Sequence, residues 1–326
     1  MNTDVLRGLV AAEILHPGNL DFRIHALPPK RFARMEVLHA FDREHSEATP
    51  TRPYAHSSPP ERLQGPGENA EWVAFSATSF VTGREDVIES RWLELAAEGR
   101  GRQRAGTAIA LGNMRRGLRP PQSGHDNPHY FDDLAMARAV GAVALHDVTT
   151  ARALVAADAH ATHDLDGAWA ADAVVVLLHA LLSGAPGTDA ARLAAEVLPE
   201  HSWSRRLAEV ALSAAAQTAS PFELSVVLSR EVCDWIYSYP VAAPETLAVL
   251  LAHVSAATSA EALLAGTSAT GRNGTTLAAL SGAASAALFG ADWIPSEISL
   301  DVPLAGLGVP RLAGVSLADA VGYGDR

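Results

Sequence analysis

Between Ser123 and Asp133 the chain reads SGHDNPHYFDD, its densest polar cluster. A histidine and a carboxylate held close together can serve as general acid and base without a metal. That chemistry makes Asp126 and His129 candidate catalytic residues. Asp132 and Asp133 suit the first turn of a following helix, and Asn127-Pro128 suits a turn. A second stretch, TGRNGTTLAAL from Thr270, is a polar loop bounded by Gly271 and Gly274 that opens a run of small residues. Free N–H groups at a helix start, together with the guanidinium of Arg272, can hold an anion. Arg272 reads more readily as a solvated surface arginine, and Thr275 or Thr276 can cap the helix. A third stretch, HATHDLD, carries His160, His163, Asp164 and Asp166. His160 and Asp164 are four apart and can share a helix face. Zinc would need a further ligand that nothing specifies, so capping and core hydrogen bonds are expected there. No nucleophile elbow, P-loop or dinucleotide fingerprint occurs.

The elements that must position these residues are helices. Apolar residues recur at helical spacing over 3–15, and similar patterns place helices near 69–82, 85–99, 102–116, 132–146, 149–162, 166–183, 188–198, 201–218, 222–229, 244–256, 259–266 and 275–289. Ala278, Gly282, Ala286 and Gly290 fall at steps of four, so the last helix should let another backbone approach closely and lie buried at the centre. Its leading loop, 271–276, should then floor a cleft. EISLDVPLAGL near the C-terminus is the one extended pattern, limited by Pro303. Residues 19–66 form a long irregular segment, of the kind that is functional or partly disordered. Short connections elsewhere predict one domain over 1–326.

Composition narrows the function classes. Of 326 residues, 48% are hydrophobic and 19% charged, which supplies a large core. The net charge of -12 argues against a nucleic-acid partner, because phosphate neutralisation needs a basic face. A small-molecule substrate is expected instead. The single cysteine, Cys233, excludes an internal disulfide and reads as a buried thiol. The start lacks a signal-peptide pattern and no apolar run reaches membrane length, so a cytoplasmic protein with no membrane partner is expected.

Five segments, in order, resemble the ADP-ribosylglycohydrolase family, whose fold is that of dinitrogenase reductase-activating glycohydrolase. They are LRGLVAAEILHPG; GLRPPQSGHDNPHYFDDLAMARAVGAVAL; AHATHDLDGAWAADAVVVLLHALLSG; YSYPVAAPETLAVLLAHV; and the loop and small-residue helix from Thr270 to Pro295. The resemblance implies an all-α, compact orthogonal helical bundle. It implies cleavage of an N-glycosidic bond to ADP-ribose, in a cleft lined by the loop that holds Ser123 and Asn127. The family uses two magnesium ions, held by a Thr-Asp-Asp-Thr motif in the first third and a Gly-Asp-x-Asp-Thr motif near the C-terminus.

This sequence departs from both motifs. The first falls at GPGENAEW, with Gly67, Glu68, Asn69 and Ala70 at the four motif positions. The second falls at GRNGTTL, with Asn273 and Thr275 at the Asp positions and Thr276 keeping the Thr. One carboxylate, two amides and a hydroxyl cannot offset two magnesium ions, so no metal cofactor is expected. By the resemblance, Glu68 and the nearby Glu71 become candidate catalytic acids. Asn69, Ser123, Asn127, Arg272, Asn273, Thr275 and Thr276 become candidate substrate contacts. Arg272 is expected to point at Glu68 or at a bound anion. Three functions stay open: a metal-independent enzyme on a ribosyl or nucleotide-derived metabolite, a non-catalytic binder of ADP-ribose or of a protein, and a cleft turned to other chemistry on a biosynthetic intermediate.

Overall fold

The computed structural model of the chain describes residues 1–15, 65–218, 220–233, 241–270 and 274–322. All but the last two residues of the irregular segment at 19–66 lie outside that set, as do the candidates Arg272 and Asn273. The described residues are all-α, without strand or sheet. In chain order the helices are α1 (Asp4–Leu15), α2 (Glu68–Phe80), α3 (Glu85–Glu98), α4 (Ala105–Arg115), α5 (Gln122–His125), α6 (Leu134–Leu145), α7 (Val148–Ala159), α8 (Leu165–Leu182), α9 (Gly187–Glu196), α10 (Trp203–Gln217), α11 (Pro221–Glu231), α12 (Ala243–Ala256), α13 (Ala260–Ala269), α14 (Gly274–Phe289) and α15 (Leu317–Ala320).

Local chemistry sets many of these boundaries. Asp147, Asp164, Ser202 and Ser259 each accept a backbone N–H at the start of α7, α8, α10 and α13. Such a cap satisfies donors that have no partner within the helix. The extended pattern expected at EISLDVPLAGL forms no strand, and its one ladder contact is an isolated bridge between Pro303 and Ser316. Proline there has no N–H to extend a ladder.

Helix α14 is buried from Thr276 to Ala286 and packs against α1, α2, α6, α8, α12 and α13. Its small face works as its spacing predicts. A Cβ at Gly282 would lie 2.1 Å from the carbonyl oxygen of Gly8 in α1, and one at Gly8 would lie 2.2 Å from that of Gly282. The two backbones touch. One expectation is corrected: Leu165–Leu182 is long and apolar enough to cross a membrane by length and composition, although 61% of it is buried inside the protein. Its apolar surface is therefore satisfied largely by neighbouring helices.

His253 in α12 is buried, with its Nδ1 against Gly266, where a Cβ would come within 2.6 Å. Burial pulls its pKa down from 6.5 to about 3. A depressed histidine pKa means the unfolded chain binds more protons, so stability present above about pH 6.5 is lost as the pH falls towards 3. The full window corresponds to about 4–5 kcal/mol at ~1.4 kcal/mol per unit. His253→Leu should therefore melt with a flatter pH dependence between pH 6.5 and 4 than the wild type. Parallel melting curves across that range would show that His253 is not the acid-sensitive group.

Candidate functional site

The starts of α2, α4, α6 and α14 converge on one side chain, Arg104. It stands at the N-cap position of α4 and makes no cap hydrogen bond. A cation there opposes the helix dipole, so tertiary partners must hold it. Its Nε donates to both oxygens of Glu68, at 3.2 and 3.1 Å. Its Nη1 donates to Asp133 Oδ1 at 2.7 Å and lies 3.5 Å from Asp132 Oδ1. Its Nη2 donates to the hydroxyls of Thr275 and Thr276, at 3.3 and 3.1 Å. The Arg104 side chain is only 10% exposed, and that of Glu68 is 36% exposed. Thr276 in turn donates to Asp133 Oδ1 at 2.8 Å, with Asn69 Oδ1 a more distant acceptor at 3.3 Å. The two stretches that hold Glu68 and Thr276, some 200 residues apart in sequence, thus meet across a guanidinium.

The start of α2 is held from the other side by Glu13 of α1. Its carboxylate accepts the N–H groups of Gly67, Asn69 and Ala70 at 3.0, 2.9 and 3.1 Å, and the Asn69 amide at 2.9 Å. Burial raises the Glu13 pKa, and these four donors oppose the rise. A Cβ at Gly67 would sit 2.8 Å from Glu13 Oε1, so the carboxylate fills the space that a side chain would take. The anion-binding capacity of this helix start is used internally.

Asp132 and Asp133, both expected as helix caps, are buried, and only Asp132 caps. Asp132 Oδ1 accepts the Leu134 N–H at 2.8 Å, but Asp133 makes no cap bond and serves the Arg104 cluster. Its Oδ2 accepts the Thr246 hydroxyl at 2.7 Å. Burial pushes the Asp133 pKa up to about 6, opposed by the Arg104 charge and reinforced by Asp132. Behind Asp132 lies His163, fully buried, with Nε2 at 3.8 Å from Asp132 Oδ1 and Nδ1 at 2.6 Å from the Thr162 hydroxyl. Thr162 accepts from Arg138 Nη2 at 3.0 Å, and Arg138 Nε donates to Asp158 at 2.6 Å. A buried polar chain therefore runs from the Arg138–Asp158 pair to Arg104.

The other candidates separate. Glu71 is buried away from the cluster, because both its oxygens accept backbone N–H groups of the C-terminal loop, from Leu307 at 3.0 Å and from Val309. Ser123 donates to the Ala161 carbonyl at 2.8 Å. The Asn127 amide donates to the carbonyls of Gly106 and Thr162 at 3.0 and 2.8 Å. Both are buried clips that join loop to helix, and Asn69 is likewise enclosed. Asp126 is exposed, and its carbonyl accepts from Asn113 at 2.9 Å. Asn113 lies nine residues along α4 from Arg104, roughly 13 Å at 1.5 Å per residue, so Asp126 does not join Glu68. His129 is half-buried, and its carbonyl would come within 3.1 Å of a Cβ at Gly106, two residues from Arg104. His160 and Asp164 lie at the end of α7 and the start of α8, with Nε2 and Oδ1 3.8 Å apart.

Sequence reasoning singled out neither Arg104 nor Glu13. A signal was present in both: a cation at a helix start and an acid in the last turns of a helix each oppose the dipole. Each is explained only by a partner on another element.

A family model for ADP-ribosylglycohydrolase matches residues 38–322. No curated protein matches the chain significantly. A solved structure described as an ADP-ribosylglycohydrolase-related protein complex is similar in fold, with a TM-score of 0.55 at 18% identity, over 98% of this chain and 99% of that one. The family match spans both motif positions that Arg104 joins, and by it the chain belongs to the ADP-ribosylglycohydrolase family.

Proposed function

We propose that this chain hydrolyses the glycosidic bond of a ribosyl or nucleotide-derived small molecule, and does so without the family's magnesium pair. One observation carries the proposal: the Arg104 guanidinium lies among the residues at the two metal-motif positions, hydrogen-bonded to Glu68, Thr275 and Thr276. Magnesium takes oxygen ligands at about 2.0–2.1 Å in near-octahedral geometry. A fixed cation within hydrogen-bond distance of the same oxygens repels it and uses their lone pairs, so these residues do not fit two magnesium ions.

Cleavage of a glycosidic bond passes through an oxocarbenium-like transition state. Glu68 is the carboxylate of the cluster that reaches solvent. Arg104 grips both its oxygens, which fixes the plane of the carboxylate before substrate arrives. A pre-oriented anion next to the reacting carbon stabilises the positive charge that develops there. The same carboxylate can accept a proton from the attacking water. The leaving group needs a proton in return, and His129, beside the start of α4, is the proposed donor. The second function, binding without catalysis, draws support from the internal hydrogen bonds of Asn69, Ser123 and Asn127.

Glu68→Gln should lower kcat/KM on an ADP-ribosylated amine by at least about 100-fold, while the melting temperature changes little because the ion pair is partly exposed. Wild-type turnover should be the same in EDTA as in magnesium. Turnover that needs added magnesium would overturn the metal-independent mechanism. Tight ADP-ribose binding without turnover would favour the binder.

A further inference from the structure

Between Gly99 and Arg119 the chain carries six arginines and no acidic residue, although its net charge is -12. Arg104 belongs to the buried cluster, and Arg119 pairs with Glu89 at 2.6 Å. Arg100, Arg102 and Arg115 are exposed, and among the described residues none of them pairs with a carboxylate. The acids at the end of α3 are already engaged: Glu94 with Arg91 and Arg311, at 3.1 and 3.3 Å, and Glu98 with Arg311 at 3.2 Å. The three free arginines share one surface. Arg100 and Arg102 flank Gly101, and Arg115 Nη1 lies 3.9 Å from the position that a Cβ on Gly99 would take. The loop they border is pinned. Gly101 has φ +103°, and a Cβ there would lie 2.3 Å from the Gly308 carbonyl oxygen, so glycine is what lets the two backbones touch. The Arg102 N–H donates to the Leu307 carbonyl at 2.6 Å, and the Leu307 N–H donates to Glu71 at 3.0 Å. Leu307 is thus held at both backbone groups, yet it is 65% exposed, more than any other large hydrophobic among the described residues.

We infer that the face formed by Arg100, Arg102, Arg115 and Leu307 docks an acidic segment of a partner protein, with Leu307 as the apolar anchor. The argument is charge complementarity. Unbalanced positive charge on an otherwise acidic molecule selects a partner that brings carboxylates, and it steers that partner to this face. The arginines offer planar forks that grip carboxylates with two donors each. An apolar side chain at the centre of such a ring supplies contact area that charge alone lacks. Because the backbone of the loop and of Leu307 is already fixed, docking orders little beyond side chains, which limits its entropic cost. A polypeptide fits better than a nucleic acid. The anchor is aliphatic and gives a base no ring to stack on, and the net charge of the chain repels a polyanion. This surface lies outside the Arg104 cluster, so the inference does not depend on the hydrolase reading.

The test is fluorescence anisotropy with the full-length chain and a labelled peptide of glutamates around a central leucine, roughly twelve residues and so about 40 Å when extended. The wild type should bind it with a micromolar Kd at low salt. Affinity should fall at least about tenfold between roughly 20 and 200 mM sodium chloride, because the charges are exposed. Arg100→Glu combined with Arg115→Glu should weaken binding by at least about 30-fold, and Leu307→Ser by about fivefold or more. Melting temperatures should change little, since all three side chains lie at the surface. If the double variant is not recovered folded, Arg100→Ser alone should still weaken binding severalfold. Absence of binding by the wild type, or binding that the arginine variants leave unchanged, overturns the inference. Unchanged binding by Leu307→Ser, or equal affinity for an oligothymidylate of the same charge, also overturns it, by showing a face that attracts any anion without an apolar anchor.

Discussion

Arg138→Ala should destabilise the protein by about 3–5 kcal/mol, the range found when one partner of a buried ion pair is removed. Arg138 is fully buried in α6 and Asp158 nearly so in α7. The guanidinium donates to Asp158 Oδ2 at 2.6 Å and lies over the Trp92 ring, 4.9 Å from its centroid. The other carboxylate oxygen accepts from the Ser76 hydroxyl and the Trp92 indole, at 3.0 and 2.9 Å. Without Arg138 that charge stays in the core with two neutral donors. For a total stability of about 5–15 kcal/mol the loss is a large share. Asp158→Asn should be comparably costly, because an amide keeps an acceptor for Ser76 and Trp92 but leaves the buried Arg138 guanidinium without its counter-charge. The discriminating measurement is a double-mutant cycle on chemical denaturation. Strong coupling between Arg138→Ala and Asp158→Asn is expected, and simple additivity would show that the two do not act as a pair.

Gly282→Val should leave little folded protein, with a loss above about 4 kcal/mol, beyond the 1–3 kcal/mol typical of overpacking. The obstacle is backbone, not a side chain that can swing aside: a Cβ at this position lies 2.1 Å from Gly8 O and 2.4 Å from Ala12 Cβ. Gly282→Ala gives the sharper test, because two principles predict opposite signs. Helix propensity alone favours alanine by about 1 kcal/mol. Contact with α1 predicts net destabilisation of about 2 kcal/mol or more. A higher melting temperature for Gly282→Ala would mean that α1 and α14 can move apart freely. Their separation should also reach the site, because Glu13 of α1 caps α2 while Thr275 and Thr276 of α14 hold Arg104. Activity should therefore fall in any Gly282 variant that still folds.

Much of the helical architecture was legible because it rests on local rules. Every helix expected between 69 and 289 has a counterpart within about three residues at its boundaries, since apolar periodicity and cap residues act over one or two turns. The short α5 and the turns after Pro295 carry too few residues for a period to show. The small-residue face of α14 was legible for a different reason. Ala278, Gly282 and Ala286 leave so little side chain that only another backbone can fill the space.

The candidate site was legible in location and not in wiring. Glu68, Asn69, Thr275 and Thr276, from the two stretches to which the sequence assigns the motifs, do come together. Assigning Glu68 a cation from the sequence led to Arg272, the arginine nearest in sequence to the second motif. Arg104 takes that place among the described residues, from a helix that the motifs do not mention. Glu71 follows Glu68 by three residues, yet its carboxylate is directed to the backbone of residues 307–309.

By itself, then, the sequence determined what depends on neighbours along the chain: an all-α fold, the positions of its helices and the close contact available to α14. Only the tertiary structure decided which charges face one another. Hydrogen bonds and ion pairs across 29 to 171 residues, such as those of Arg104 to Asp133 and to Thr275, leave no spacing in the sequence. The sequence shows such partners only indirectly, where a charge sits at the wrong end of its own helix, as Arg104 and Glu13 do.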